Sequence, residues 1–501
     1  MKVSPADASK LDLKATASEI ATNGLLDMPF LISERSLESS TDTLARHAKT
    51  RASTGYTPSM EIVVMPKRGH GLRPISVLSP TTRLIYEAIV AKLAPSLPVP
   101  SRNKTFDQHR SYGEDADGPN QDDPHVRVLD LDIVAFYEYV DHQILFEELL
   151  ARTLDPTYVS ALRDFLSEMF PRGLGIPQAL NASHVIADAY IERMSRAITR
   201  QGYDHNRYAD DFRILARTWQ SAHQAIEISI HAARQIGLAL SDAKLSIRKP
   251  DDIRKELSEF EDALQPYKDA AADGLKSLEF VSTEYDDFDL VEIEPGDEEV
   301  DYVALERLVK DWLDSDHESP SRIARYVGLA LKRLQKADTR LAVNTLVEIV
   351  MRDPTRMRSV LHYLAARTSN AESWEALYRL SALPRTSPWS KVWLLNQSAR
   401  IDAMACDDHA NFVSWAREQL GDSSEVVRAE AAWFLAESGK VSESELLDAL
   451  ISASEVTQCG IASAVGRFDA LRASTSKLGR AVRQESPLTK AAYSWGNKHG
   501  K

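Results

Sequence analysis

Hydrophobic and polar positions follow two different patterns along this chain, and the change between them falls near residue 300. Before it, short apolar runs typical of strands are interspersed with apolar residues at helical spacing. Two strands around a glycine-rich, basic turn are predicted over 61–79, and a tight hairpin over 205–216. Helices are predicted over 81–95, 177–198 and 221–240.

Beyond residue 300 the apolar residues recur at helical spacing in short segments separated by brief turns. Helices are predicted over 302–314, 320–336, 338–352, 371–382, 389–405, 410–419, 424–438 and 443–453. The segment 422–439, an acidic turn followed by Val-Val-Arg and alanine packing positions, resembles a helix of a HEAT-type repeat. Such helix pairs stack because no single pair buries its apolar face alone. An irregular helical bundle is the alternative.

These patterns predict four segments. They are an N-terminal helical or loop extension (1–60), a region of mixed strands and helices (61–285), an acidic linker (286–301) and an all-helical region (302–501). The expected fold class is α/β (α+β) followed by an all-α, HEAT-like repeat domain.

Composition narrows the class of protein. Of the 501 residues, 43% are hydrophobic and 27% charged, as in soluble globular proteins. No apolar run is long enough for a membrane span, and the N-terminus lacks the apolar core of a signal peptide. The two cysteines, Cys406 and Cys459, argue against a disulfide framework or cysteine metal site and favour the cytoplasm. A net charge of −14 counts against an extended nucleic-acid surface, although a local basic groove is compatible with it.

One acidic pair lies in an unusual context. Asp-Asp occurs five times, but only Asp210 and Asp211 are bracketed by an aromatic residue, Tyr208, and an apolar run that begins at Phe212. Like charges held this close repel each other and raise a pKa unless a cation lies between them. A polar hairpin tip pointing into water is the alternative.

A second carboxylate is expected at the end of another strand. The stretch 126–140 is predicted to be a strand that passes into a helical turn, which places Asp132 at the strand end and Phe136 and Tyr137 in the turn. Two or three converging carboxylates can hold two Mg²⁺ ions about 3.5–4 Å apart for phosphoryl transfer. Asp130 competes with Asp132 on strand geometry, and Asp132 could instead cap the following helix.

Five motifs in this order resemble those of reverse transcriptases. They are Lys67 to Pro74 around a glycine turn, Asp132-Ile-Val-Ala-Phe136-Tyr137 with Asp141-His142, Gly175-Ile-Pro177-Gln178 with Ser183, Tyr208-Ala-Asp210-Asp211, and Gly237 to Lys244. The resemblance covers about residues 60–285 and implies that 61–285 forms the fingers and palm of a right-hand polymerase. One departure is Ala179-Leu180, where intron-encoded members have Gly-Gly.

The resemblance implies a role for each matched residue. Asp132, Asp210 and Asp211 would be catalytic and would bind two Mg²⁺ ions. Lys67 and Arg73 would grip the triphosphate of an incoming dNTP, with Arg68 a weaker candidate. Tyr137 would exclude a 2′-hydroxyl, Gln178 would lie beside the nascent base pair, and Lys244 would protonate the leaving pyrophosphate.

Each binding role has a structural alternative. Tyr137 could be a core aromatic, and Lys67 and Arg73 could form a solvated basic loop. Gln178 could be a polar cap at a helix start, and Lys244 a surface lysine.

The long helical region after an abridged palm resembles the bacterial abortive-infection and defence-associated reverse transcriptases. That resemblance implies a homo-oligomer in antiphage defence. The DNA product would be untemplated and covalently attached to a protein hydroxyl, or made with a partner non-coding RNA. Tyr56, Tyr112 and Tyr493 are tyrosines in loop-like segments that could carry such a hydroxyl.

Three other functions stay open. An RNA-templated enzyme of retron or intron type would use the same chemistry, and a decayed palm with a helical array could be a binding scaffold. An RNA-dependent RNA polymerase is disfavoured by Tyr137 at the sugar position.

Overall fold

The computed structural model describes residues 4–67, 71–103, 106–116, 125–257, 280–282, 288–290, 302–315, 327–335, 340–366, 371–403 and 405–499. The chain divides into two compact units. The terminal unit combines Met1–Ala88 with Leu305–Lys501, and the central unit is Ile89–Ala304.

The strands form small antiparallel sheets. They are β1 (Met60–Pro66), β2 (Leu72–Leu78), β3 (Arg127–Leu131), β4 (His205–Tyr208), β5 (Asp211–Ala216), β6 (Ser246–Arg248), β7 (Phe280–Ser282) and β8 (Phe288–Leu290). β1 pairs with β2 and β7 with β8, and the central unit contains a four-stranded sheet in the order β4-β5-β3-β6. β8 lies within 286–301, the segment predicted to be a linker. The other residues of that segment, 286–287 and 291–301, lie outside the described residues.

The four-stranded sheet is the largest of the described sheets and lies in the central unit. Val128 and Leu129 of β3 are both fully buried although successive side chains point to opposite faces, so apolar groups cover both faces of this strand. The helices of this unit are Phe106–Arg110, His142–Thr153, Pro156–Met169, Asn181–Arg200, Trp219–Gln235 and 250–257, with 3₁₀ turns at Ala94–Ser96, Ser101–Asn103 and Phe136–Glu138. Trp219–Gln235 packs against β3 and β5.

Every described element from residue 302 onward is helical. These helices are Tyr302–Asp314, Val327–Leu334, Val343–Arg352, Met357–Ala366, Ala371–Ser381, Pro388–Ser398, Asp407–Glu418, Glu425–Glu437, Glu443–Ile451, Gln458–Leu471, Lys477–Glu485 and Pro487–Lys498, with 3₁₀ turns at Pro354–Arg356 and Gln419–Gly421. Most of them pack against the second helix along the chain rather than the next; Pro388–Ser398, for example, contacts Glu425–Glu437. That pattern is typical of two stacked layers of helices.

The N-terminal residues belong to the same unit as these helices. Their helices are Pro5–Ala8, Leu13–Thr22, Ile32–Arg35 and Thr41–Thr54, with a 3₁₀ turn at Glu38–Ser40, and Pro80–Leu93 follows β2. The indole N–H groups of Trp389 and Trp393 donate to the carbonyl oxygen of Asp27 at 2.6 and 3.2 Å. Asn396 donates to the carbonyl oxygen of Phe30 at 3.1 Å. The backbone of the N-terminal extension therefore accepts hydrogen bonds from buried side chains of the helical region.

Glu430 is buried at this junction. It accepts the backbone N–H of Ile32 at 2.7 Å and the side-chain amide of Asn396 at 3.1 Å. Burial raises the pKa of Glu430 to about 7, above its usual 4.5. The folded state then holds the proton between pH 4.5 and 7 while the unfolded state releases it, so stability falls as pH rises through this window.

We expect Glu430→Gln, which stays neutral, to lose this pH dependence. The melting temperature of the wild-type protein should fall between pH 5 and 7.5 relative to that of the variant, because only the wild type must bury a charge. Differential scanning fluorimetry at several pH values would measure it, with the half-exposed Glu437→Gln as the control substitution on the same helix. Parallel pH profiles for Glu430→Gln and wild type would contradict the prediction.

The β1–β2 hairpin is also fixed to the helical region. Glu61 of β1 accepts the backbone N–H of Val426, at the start of the Glu425–Glu437 helix, at 2.9 Å. The hydroxyl of Tyr56 donates to Glu455 at 2.9 Å and lies 2.7 Å from the hydroxyl of Thr82. The helical region therefore supports the hairpin predicted to grip a nucleotide.

The position of Tyr493 corrects the prediction of a loop-like tail. The residue lies in the Pro487–Lys498 helix, is only 5% exposed, and donates a hydrogen bond to the buried Asp469 at 2.8 Å. Tyr56 is 4% exposed, whereas Tyr112 is half-buried. Burial makes Tyr56 and Tyr493 poor carriers of a reactive hydroxyl. Among the described helices, none is long and apolar enough to cross a membrane.

Candidate active site

Three carboxyl groups meet at one end of the four-stranded sheet. Asp132 follows β3 directly, Asp210 occupies the turn between β4 and β5, and Asp211 begins β5. The carboxyl group of Asp211 forms a hydrogen bond with that of Asp132, and the charges of Asp132 and Asp210 act on each other. Because β3 and β5 are antiparallel neighbours, the end of one strand lies beside the start of the other.

The proximity of these groups changes their proton affinity. Burial, and then the charges of Asp210 and Asp132, raise the pKa of Asp211 to about 8. Burial and the charge of Asp132 also raise the pKa of Asp210, while Arg102 and Lys244 act in the opposite direction. The site is therefore short of positive charge and would be stabilised by added cations.

Lys244 forms an ion pair with this cluster through Asp132. Its Nζ lies 3.0 Å from Oδ1 of Asp132, and its side chain is 62% exposed. The lysine, predicted as a proton donor, thus lies at the acidic site in a turn before β6.

Within the described part of the chain, no group of three acidic, histidine or cysteine side chains could hold a metal ion as it stands. The chemistry of Asp132, Asp210 and Asp211 nevertheless fits a hard divalent cation, because all the donor atoms are carboxylate oxygens and two of the groups have raised pKa values. Releasing the Asp211–Asp132 hydrogen bond would free both carboxylates as ligands.

Asp130, the competitor of Asp132, has a different role. Its carboxylate lies 2.9 Å from Nε of Arg213 and 2.6 Å from a guanidinium nitrogen of Arg248, and it accepts the hydroxyl of Ser246 at 3.1 Å. Arg213 and Ser246 are its partners in the sheet register. Asp130 is therefore neutralised across the sheet.

Three of the palm motifs contain an alanine with left-handed backbone. Ala135, Ala179 and Ala209 have φ values of 46°, 67° and 54°. For an L-residue this conformation costs roughly 1–2 kcal/mol, and such strain concentrates at functional sites. Ala179 stands where intron-encoded reverse transcriptases have glycine, so the backbone keeps a glycine-like conformation without glycine. Of the two turn residues between β4 and β5, Ala209 alone has positive φ.

Residues that the sequence did not single out hold this turn in place. The N–H of Ala209 donates to Oγ of Ser101 at 3.0 Å, and Arg207 donates to the carbonyl oxygen of Ala209 at 3.1 Å. Arg207 is in turn paired with the buried Asp188. Arg207 could have been noticed as a charged residue two positions before the turn, whereas Ser101, 108 residues away, carries no local signal.

Tyr137 lies where the first two palm motifs join. Its carbonyl oxygen accepts the N–H of Ile176 at 2.9 Å, and the N–H of Gly175 donates to Val140 at 2.8 Å. The Tyr137 ring is half-buried and meets the His184 ring edge-on, with centroids 5.9 Å apart. The ring is thus held by both motifs without being enclosed in the core.

The other predicted binding residues lie in both units. Gln178, 8% exposed, belongs to the loop before the Asn181–Arg200 helix and does not cap it, because Leu180 occupies the cap position. Lys67 donates its N–H to Gly71 at 2.9 Å at the turn of the β1–β2 hairpin, and Arg73 lies in β2. Arg68 lies outside the described residues.

Comparison with known proteins supplies independent information on this site. Residues 65–282 match the family described as reverse transcriptase (RNA-dependent DNA polymerase). A search of curated proteins found no match.

Solved structures that resemble this chain include two telomerases, each described as in complex with a TWJ fragment of telomeric RNA. The Candida albicans structure has 12% identity and a TM-score of 0.30 and covers 66% of this chain. The Candida tropicalis structure has 12% identity and a TM-score of 0.29, with 75% of this chain and 68% of the other covered. The chain spans 65% of the first telomerase chain, just under two thirds of its length. The family match, in contrast, includes every carboxylate of the acidic cluster: residues 65–282 of this protein are a reverse transcriptase domain.

Proposed function

We propose that this chain is a DNA polymerase of reverse-transcriptase type that joins deoxynucleotides by two-metal nucleotidyl transfer. The observation that carries the proposal is the meeting of Asp132, Asp210 and Asp211 at one end of the sheet, with a raised pKa for Asp211. A purely structural site would avoid such an incompletely compensated group of acidic side chains.

In this proposal Asp132, Asp210 and Asp211 bind two Mg²⁺ ions. Bound Mg²⁺ would lower the pKa of the attacking hydroxyl and neutralise the charge that develops on the leaving pyrophosphate. Lys67 and Arg73 bind the triphosphate, and Gln178 contacts the nascent base pair. Lys244, already at the acidic site, protonates the pyrophosphate.

We further propose that the enzyme acts in antiphage defence by abortive infection, as a homo-oligomer that makes untemplated DNA on a protein hydroxyl. Two observations support this. The helical region, which we interpret as HEAT-like repeats, supports the β1–β2 hairpin through Glu61 and Val426. The net charge of −14 suits an enzyme that does not clamp a long duplex.

The test uses the purified full chain with Mg²⁺ and labelled dNTPs, with and without prior RNase treatment. Synthesis that survives RNase, with label that stays on the denatured protein, supports the full proposal. Synthesis that requires added RNA and yields a complementary product would instead establish a templated enzyme. No incorporation under either condition would favour the scaffold alternative.

Tyr137 should determine which sugar is used. We expect Tyr137→Ala to raise ribonucleotide incorporation relative to deoxynucleotide incorporation by about 10- to 100-fold, since relief of a steric clash is worth roughly 1–3 kcal/mol. Competition between labelled dNTPs and NTPs would measure the ratio. Tyr139→Ala, two residues away at a 50% exposed tyrosine, is the matched control. A wild-type enzyme that prefers NTPs would refute this role.

A further inference from the structure

A separate cavity lies in the central unit, between the Asn181–Arg200 helix and β4, the first strand of the β4–β5 hairpin. Its volume is about 720 Å³, within the range of small-molecule sites. Ser195, Arg196, Thr199 and Arg200 line one wall, and His205 and Arg207 line the other. Ser195 and Thr199 are four positions apart, as are Arg196 and Arg200, so these side chains lie on one face of the helix; His205 and Arg207 lie on one side of β4.

The cavity wall offers positive charge and hydroxyl groups. Arg200 is exposed and has no hydrogen bond or ion pair with any described residue, and Arg196 shares Glu148 with Arg152 and Arg193. Glu192, the carboxylate that lines the cavity, forms an ion pair with Arg207, and a guanidinium nitrogen of Arg207 lies 3.7 Å from Oε2 of Glu192. Three arginines (Arg196, Arg200 and Arg207) and one carboxylate (Glu192) line the cavity, although the chain as a whole is strongly acidic.

Ser195 provides an independent indication of a ligand. It is 6% exposed and lines the cavity, yet its Oγ has no hydrogen-bond partner among the described residues. Buried hydroxyls are rarely left unpaired, so this oxygen is available to a ligand. At the cavity rim, Val99 is 76% exposed and adjoins Pro100, which gives an apolar surface beside the polar wall.

We propose that this cavity binds a nucleotide. Arg196 and Arg200 bind its phosphate through charge-assisted hydrogen bonds, Ser195 completes the polar contacts, and the base lies against Val99 and Pro100. This site is distinct from the acidic cluster and its occupancy does not depend on the proposed polymerase activity.

The site is linked to the hairpin that carries Asp210 and Asp211. Ser101 and Arg207 both line the cavity, and both hold the strained turn residue Ala209 through hydrogen bonds of 3.0 and 3.1 Å. A nucleotide that contacts Ser101 and Arg207 would therefore stabilise the conformation of the turn that they hold. Binding should slow amide hydrogen exchange in the hairpin, because it adds contacts to the groups that hold Ala209.

The experiment is a calorimetric titration of the full chain with AMP in EDTA. Without divalent cations the acidic cluster repels phosphate, whereas an arginine site does not need a metal. We expect AMP to bind the wild-type protein. We expect its affinity for Arg200→Ala and for Arg196→Ala to be lower by about tenfold or more, since each variant loses a charge-assisted contact. Arg163→Ala, at a 58% exposed arginine on another helix, should bind AMP like wild type.

Three results would overturn the proposal. They are no binding of AMP to wild type, equal affinity for AMP and inorganic phosphate, or unchanged AMP affinity in both arginine variants. Hydrogen-exchange mass spectrometry of residues 205–216, with and without AMP, tests the link to the hairpin. Slower exchange in wild type but not in Arg200→Ala supports that link, and unchanged exchange in wild type refutes it.

Discussion

DNA synthesis by the double variant Asp210→Asn, Asp211→Asn is expected to fall by about 10³-fold or more. A bound metal supplies several kcal/mol of transition-state stabilisation, and each 1.36 kcal/mol is about tenfold in rate. Asparagine keeps the shape of both side chains but removes the charges that would bind the ions. Incorporation of labelled dNTPs by the purified full chain measures the loss.

The same variant should not lose stability in EDTA. Burial and mutual repulsion raise the pKa values of both aspartates, so neutral side chains remove an unfavourable interaction from the folded state. We therefore expect an equal or higher melting temperature together with the lost activity. Asp407→Asn with Asp408→Asn makes the same charge change in the helical region and should leave synthesis intact. Retained synthesis in the Asp210, Asp211 variant would reject the acidic cluster as the active site.

Arg83→Leu is expected to destabilise the terminal unit by about 3–5 kcal/mol, the usual effect of removing one partner from a buried ion pair. Arg83 is 4% exposed and contacts Glu34 and Glu87, each at 2.7 Å. It also donates to the carbonyl oxygen of Asn23 at 2.9 Å. Its loss leaves the buried Glu34 and the largely buried Glu87 without their cation, and burial already raises the pKa of Glu87.

Thermal melting followed by circular dichroism would measure this effect. Arg46→Leu is the control, since Arg46 lies on an exposed helix face and its hydrogen bonds are local. A triple variant that also carries Glu34→Gln and Glu87→Gln should recover part of the lost stability, because it removes the uncompensated charges. A melting temperature for Arg83→Leu equal to that of Arg46→Leu would show that the pair contributes nothing.

The sequence predicts the acidic hairpin well because the information there is local. The predicted strand–turn–strand over 205–216 corresponds to β4, the turn and β5, since Tyr208 and the apolar run that begins at Phe212 bracket the acidic pair. Asp132 is likewise found at the end of a strand. Asp132 rather than Asp130 joins the acidic cluster because arginines of β5 and β6 neutralise Asp130. Strand periodicity alone does not reveal these ion pairs.

Features that depend on distant partners could not be predicted. The left-handed conformation of Ala179 and Ala209 has no sequence signal, because alanine does not favour it. The predicted helix over 389–405 ends at Ser398 in the structure, and the burial of Tyr493 depends on Asp469. The docking of residues 23–36 on the helical region depends on contacts between residues more than 360 positions apart.

The interleaving of the terminal unit has a consequence during translation. Residues up to Ala88 emerge from the ribosome early, but their packing partners begin only at Leu305, after the whole intervening stretch has been made. At bacterial or eukaryotic elongation rates this delay is roughly 10–40 s. During that time the apolar faces of the first helices and the β1–β2 hairpin lack their final cover, so nascent chains should recruit chaperones before synthesis reaches the helical region.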